Sequence, residues 1–362
     1  MNFRILVSAA LLGGAQAVPA AAQVSDSVMR VHFVNVGQGA AAVLEFSCGV
    51  VLVDAGAQDA AYADSLVRYL RGLFNTRPDL SDTIQTVFIS HNHVDHNRAL
   101  RRVVEQFHVR RVIENGQRGT STRDPGDAAL RWLATAAPTR GVTVIDVDDD
   151  EVLQSVAGLT GPDIDPVDCG APSTNPEIRI LAADRSTNPG WPYSAFGDKN
   201  NHSVVVRVDF GQASFLFTGD LETEAWETLV EQYDNTDLLD VDVWHVGHHG
   251  SYNGTNSQVL AAINRPVIAV ISMGRCDDHG TWTAWAYGHP RQDAVGQLRH
   301  AITRRRSTPR RVQVATGTRT FTPTMLRDAL YGTGWDGTVV VRATATGTYR
   351  VTTDGGATLA SC

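Results

Sequence analysis

No apolar run in this 362-residue chain reaches the ~18–20 residues that a membrane-spanning helix needs, so no membrane span is expected. Cations are not in excess. The 31 Lys and Arg face 39 Asp and Glu, and the net charge of −8 argues against general attraction to polyanions. The four cysteines, Cys48, Cys169, Cys276 and Cys362, form no CxxC pair, which speaks against a zinc finger or a redox dithiol. Repeats and low-complexity tracts are also missing. What remains, with 43% hydrophobic and 19% charged residues, is a globular chain long enough for one large domain or two ordinary ones.

The N-terminus stands apart from the rest. "MNFRILVSAALLGGAQAVPAAAQ" carries one early cation, Arg4, a short apolar run and then the small-residue sites "AQA" and "AAA". This is the layout of a secretory signal peptide, so residues 1–22 are expected to be removed, leaving 23–362 as a single domain outside the cytoplasm, secreted or periplasmic. Loss of Arg4 takes the net charge from −8 to −9. In an oxidising compartment one or two disulfides are expected, and the sequence does not choose among the three full pairings of four cysteines.

From Arg30 onward, β-branched runs broken by "GQG" and "SCG" read as successive strands with tight turns. Residues 59–74 have helical spacing behind an Asp cap. Residues 117–200 are less regular: a helix at "PGDAALRWLATAA", strands at "VTVIDV" and "EIRILAA", and loops rich in Gly and Pro, which together read as an elaboration around a site. The five arginines of "TRRRSTPRR", residues 303–311, read as a solvated loop or helix end. Strands and helices alternate in two successive halves, which predicts helices outside a central pair of sheets.

The chemistry concentrates in "SHNHVDHN". Within six positions it places His91, His93, Asp95 and His96, just after the short apolar strand "IQTVFIS". Imidazole and carboxylate are the usual ligands of zinc and similar divalent cations, and a loop at a strand end is where a rigid scaffold presents such groups. Further ligand types stand at strand ends: Asp54 in "VVLVDAG", His202 opening "HSVVVRV", Asp220 closing "FLFTGD", and His248 and His249 in "VWHVGHHGS".

"SHNHVDHN" resembles the HxHxDH signature of the metallo-β-lactamase superfamily. The ordered series "VNVGQGAAAVLE…VLVDAG", "NNHSVVVRVDFGQASFLFTGD", "HVGHHGS" and "YGHP" is similar to the subgroup typified by the soluble hydrolase domain of the competence protein ComEC. The resemblance implies an α/β fold, a four-layer αββα sandwich, with two divalent metal ions at one edge. Zinc is the expected metal and manganese the alternative. Carried over, His91 and His93 bind one ion, Asp95 and His96 the second, Asp220 bridges them and His248 completes the second site. His202 is the expected third ligand of the first ion on its ligand chemistry, and Asp54 a supporting acceptor behind the ligands.

A hydroxide held between the ions would attack a phosphoryl or acyl centre. Asp95, His249 and His289 of "YGHP" are the expected catalytic groups, orienting the nucleophile and serving the leaving group or an anionic oxygen. The expected activity is phosphodiester hydrolysis on a small or oligomeric substrate, with nucleic acid among the possible partners and no protein partner evident. Hydrolysis of cyclic amides or esters is the alternative reaction, and a non-catalytic, metal-stabilised binding module the alternative of another class. "CDDHGTWTAWAYGHP" is aromatic-rich and suits either stacking on a ring or core packing.

Overall fold

The computed structural model of the chain describes residues 27–119, 121, 123–170, 175–356 and 361–362. The expected signal peptide, 1–22, lies outside the described residues.

The strand Val50–Val53 shows how the layers arise. Its four residues are all apolar and all buried. Successive side chains point to opposite faces, so Val51 and Val53 join one core cluster while Val50 and Leu52 join another. A strand covered on both faces must sit inside a multilayer stack. Its sheet has eight strands, in the order Tyr349–Thr353, Val339–Thr344, Val28–Phe33, Ala42–Glu45, Val50–Val53, Thr86–Phe88, Arg111–Glu114 and Thr143–Asp146. A second sheet of six runs Leu330–Gly332, Ile268–Ile271, Val243–His245, Ala213–Phe217, Val205–Phe210 and Pro176–Ala182.

The two sheets pack face to face through aromatic side chains. Phe33 stacks on Phe217 with centroids 6.2 Å apart, and Phe46 meets Phe210 at 6.3 Å. Outside the first sheet lie the helices Ala60–Thr76, Leu100–Gln106 and Pro125–Arg140. The first of these starts where expected, with Asp59 accepting from the Ala61 and Tyr62 amides, and it buries Leu66, Leu70 and Phe74 against the sheet. The helices Thr223–Gln232, Ser257–Ile263 and Gln292–Ala301 cover the second sheet, where Trp226 packs edge-on to Trp244 at 6.1 Å. The architecture is the αββα sandwich expected from the sequence.

Residues 117–200, read as an elaboration holding the strands "VTVIDV" and "EIRILAA", supply one outer strand of each sheet, Thr143–Asp146 and Pro176–Ala182. One segment differs from its sequence reading. The arginine run is not a loop or helix end. It opens the long strand Arg305–Gly317, which pairs with Thr320–Asp328 in a ribbon. Arg306 reaches the buried Asp336 and the Leu330 carbonyl, so part of its charge is spent holding the ribbon to the body. The four cysteines are paired, Cys48 with Cys169 and Cys276 with Cys362. Among the described residues no helix is long and apolar enough to cross a membrane.

Candidate metal centre

The strands of both sheets end at one edge, and the polar residues of the sequence motifs meet there. Thr86–Phe88 runs into Ser90 and His91, and the short helix Val94–Asn97 then carries Asp95 and His96. Ala213–Phe217 leads to Asp220 across Gly219, and Val243–His245 leads to His248 and His249. The loop Asp54–Gly56 packs directly beneath the motif. A Cβ on Gly56 would lie 1.6 Å from the Asp95 carbonyl oxygen, so only glycine permits that approach.

His91, His96 and Asp220 offer ligand atoms that all lie within 4.8 Å of one another, and so do Asp95, His96 and His249. His93 joins the first group, with its Nδ1 3.0 Å from His91 Nε2. Asp220 faces both groups, one carboxylate oxygen 3.3 Å from His96 Nε2 and the other 3.4 Å from His249 Nε2. Asp95 lies 3.4 Å from that same His249 nitrogen.

The outer nitrogens of two imidazoles are already committed. Asp54 accepts from His96 Nδ1 at 2.7 Å and also takes the Ser90 amide and hydroxyl. The Ser272 carbonyl accepts from His249 Nδ1 at 2.7 Å. The Nε2 atoms of His96 and His249 are therefore lone pairs in the neutral rings. Both are buried without a hydrogen-bond partner, and both face carboxylate oxygens. Lone pair against carboxylate is repulsive unless a cation or a proton lies between them, so the residues present fit bound divalent ions. With no ion between them, the same carboxylates draw a proton to the rings instead. Burial lowers His96 and His249, but Asp220 with Asp54 or Asp95 overrides it and holds both imidazoles above their usual range. Burial would raise Asp220 and Asp95, yet the surrounding histidines keep both carboxyls well below theirs. His91 is pushed far down, first by burial and then by His96 and His93.

Two expected ligands are not in the cluster. His202 turns away from it. Its Nδ1 lies 2.7 Å from Asp184 and its Nε2 2.7 Å from the Phe196 carbonyl, which leaves no ring nitrogen for an ion. The next residue, Ser203, faces the site: its hydroxyl accepts from the Asp220 amide and lies 3.3 Å from His91 Nδ1. His248, expected as the ligand, instead sets its Nδ1 3.3 Å from Glu222. His249, expected as a catalytic group beside the ions, is the one that reaches both carboxylates. His248 and His249 have φ of 48° and 51°, so the chain folds back on itself and directs the second ring inward.

His289 packs against both, with ring centroids 5.7 Å from His248 and 6.1 Å from His249. Gln38 holds it. The Gln38 carbonyl oxygen accepts from the Gly274 amide, so its NH2 faces and donates to His289 Nδ1 at 3.3 Å. His289 then carries its proton on Nε2, and burial together with His249 and His248 keeps the ring neutral. Gln38, Ser90, Ser203, Ser272 and Glu222 were not singled out from the sequence, since a lone Ser or Gln carries no recognisable signal until its neighbours are placed.

Comparison with known proteins bears on this arrangement. The metallo-beta-lactamase superfamily profile matches residues 34–274. The chain is 40% identical over 90 residues to Recombination protein 2 of Haemophilus influenzae, an overlap of 25% of this chain and 10% of that protein. It is 34% identical over 105 residues to ComE operon protein 3 of Bacillus subtilis, covering 29% and 12%. The matches thus span only about a tenth of these curated relatives. Among solved structures, a diphosphatase from the PhnP family aligns with a TM-score of 0.39 at 11% identity, covering 83% of this chain and 99% of that one. Human tRNase Z, short form, aligns at 0.33 and 14%, covering 67% and 91%. Members of the matched superfamily typically bind two divalent metals, and the profile spans the histidine motif, Asp220 and the His248–His249 turn alike. The chain belongs to the metallo-β-lactamase superfamily.

Proposed function

We propose that the chain is an exported, dinuclear-metal-dependent hydrolase of phosphodiester bonds, a nuclease or small phosphodiesterase. The observation that carries the metal dependence is the pair of buried imidazole nitrogens, on His96 and His249, aimed at carboxylates with no hydrogen-bond partner. His91, His93 and Asp220 would hold one ion, and Asp95, His96, His249 and Asp220 the other. Such ions supply Lewis acidity and a nucleophile available at neutral pH, and zinc suits the histidine-rich set.

The chain's own side chains prepare the site for an anionic substrate. Asp54 and the Ser272 carbonyl fix the His96 and His249 rings in one tautomer. His289 presents a neutral Nε2–H, a donor suited to an anionic phosphoryl oxygen. Phosphodiester hydrolysis is favoured over amide or ester hydrolysis because the first of these relatives is named a recombination protein. The net charge of −8 points to short substrates over long DNA. Export is supported by the two disulfides, which persist in an oxidising compartment.

The test is a substrate panel on the purified, zinc-loaded chain: bis(p-nitrophenyl) phosphate, single- and double-stranded oligonucleotides and a chromogenic β-lactam. Turnover of the phosphodiesters, abolished by a chelator, is the expected result. Two bound metals with no phosphodiester turnover would overturn the reading, and β-lactam turnover alone would transfer it to the amide class.

A further inference from the structure

We propose that Trp282 and Tyr287 form a subsite for a planar ring beside the metal centre, so that the substrate is a nucleotide-type phosphodiester held by its base. This rests on the phosphodiester reading above and names the substrate class for that site.

The segment "GTWTAWAYGHP" sorts its aromatic residues into two kinds. Trp285 is used internally: His279 packs on it at 4.6 Å and the Arg319 guanidinium lies over it at 5.0 Å. Trp282 and Tyr287 are not sequestered. Trp282 is 68% exposed and Tyr287 39%, which is costly for side chains of this size unless something covers them. They lie side by side, with centroids 6.3 Å apart.

Their position joins them to the site. Tyr287 stacks on His289 at 5.6 Å with planes 19° apart, and His289 stacks on His249 at 6.1 Å and 28°. Two ring steps therefore lead from an exposed aromatic face to a side chain of the candidate metal centre. Gln38 holds the middle ring through its Nδ1, leaving the Nε2–H for an anionic oxygen. A substrate whose phosphoryl group lies at the cluster would extend its attached ring along this row.

The platform is held firmly. Thr283 caps the turn Ala284–Tyr287, and the Cys276–Cys362 disulfide ties down the chain just ahead of the segment. Gly288, at φ +74°, ends the turn where a Cβ would come within 2.7 Å of the Gly317 carbonyl oxygen. Aromatic platforms of this kind accept any base, because every base has a π-face. Short ligands also suit an acidic chain, which gains little from a long phosphate backbone.

The experiment compares two probes on the zinc-loaded full chain by titration calorimetry: thymidine 5′-monophosphate and 2-deoxyribose 5-phosphate, which keeps the phosphate and sugar but lacks the base. Stacking on one aromatic side chain predicts that the nucleotide binds roughly 5- to 150-fold tighter. Trp282→Ala and Tyr287→Leu should each shrink that ratio several-fold while metal content stays at the parent value. Tyr287→Phe should restore it, and Met325→Ala, at an exposed apolar position on the ribbon, should leave it alone. Equal affinity for the two probes in the parent chain, or an unchanged ratio in both aromatic variants, would refute the subsite. Turnover of bis(p-nitrophenyl) phosphate by the same preparation tests the hydrolase reading separately. A chain that turns it over but binds the two probes equally retains the activity and loses the subsite.

Discussion

Replacing Asp54 with asparagine tests how the metal centre is held. The two side chains match in shape, and the left-handed backbone at this position, φ 59°, suits either residue. The difference lies in acceptors. The Asp54 carboxylate takes the Ser90 amide at 2.8 Å on one oxygen, and the Ser90 hydroxyl at 3.0 Å and His96 Nδ1 at 2.7 Å on the other. An amide offers one oxygen. Turned one way, its NH2 confronts the Ser90 N–H; turned the other, it confronts the His96 Nδ1–H. Either arrangement strands a buried donor at about 1–3 kcal/mol, or flips His96 so that Nε2 carries the proton and loses the lone pair an ion needs. Loss of such a supporting carboxylate weakens metal binding by about 10- to 100-fold, or ~1.4–2.7 kcal/mol. Competition against a chelator of known zinc affinity measures the change, with circular dichroism to check the fold. A variant that folds and binds zinc within twofold of the parent would refute the claim that Asp54 fixes the His96 tautomer.

His249→Ala should lose about one equivalent of metal and most turnover, whereas His248→Ala should keep both equivalents; metal analysis of the two proteins decides between the adjacent rings. Replacing Cys48 and Cys169 together by serine opens a cross-link spanning 121 positions, for which the loop-entropy relation gives a loss of up to about 5 kcal/mol, read as a lower denaturation midpoint. Glu114 predicts a pH effect with a definite sign. Burial, with Asp146 nearby and against the pull of Arg118, raises its pKa from 4.5 to about 7. The folded chain thus keeps a proton that the unfolded chain releases, so this contribution is complete below pH 4.5 and fades by pH 7, by on the order of 3 kcal/mol. Denaturant titrations between those pH values should show that fall in the parent and a flatter profile in Glu114→Gln; parallel profiles would disprove it.

The sandwich was legible because its strands are continuous apolar runs and its helices carry one apolar stripe. The histidine motif was legible because its ligand types are crowded into one strand-end turn. Asp54 and Asp220 stood out as candidates because a carboxylate at a strand tip is conspicuous, and the family resemblance supplied their expected roles. The two ligand readings that changed each turned on one residue of register. His202 closes the short helical turn Lys199–His202, and the chain becomes extended only at Ser203, so the serine faces the cluster in place of the imidazole. His248 and His249 both adopt left-handed backbone, which no residue pattern announces for two consecutive histidines, and the inward ring is the second. The arginine run looked like a solvated segment because its partners, Asp328 and Asp336, lie far along the chain. The disulfide pairing was unreadable for the same reason, since Cys48 and Cys169 come together only once the strands between them are in place.

The cluster draws His91, His93, Asp95 and His96 from the end of the eight-stranded sheet, and Asp220 and His249 from the end of the six-stranded one. Ions gripped by both groups bind only while the two sheets are docked. Free metal and sheet docking then become linked variables: at a free concentration a hundredfold above the dissociation constant, each site adds about 2.7 kcal/mol against separation of the layers. The chain's resistance to unfolding and proteolysis would therefore rise and fall with the supply of divalent metal around it.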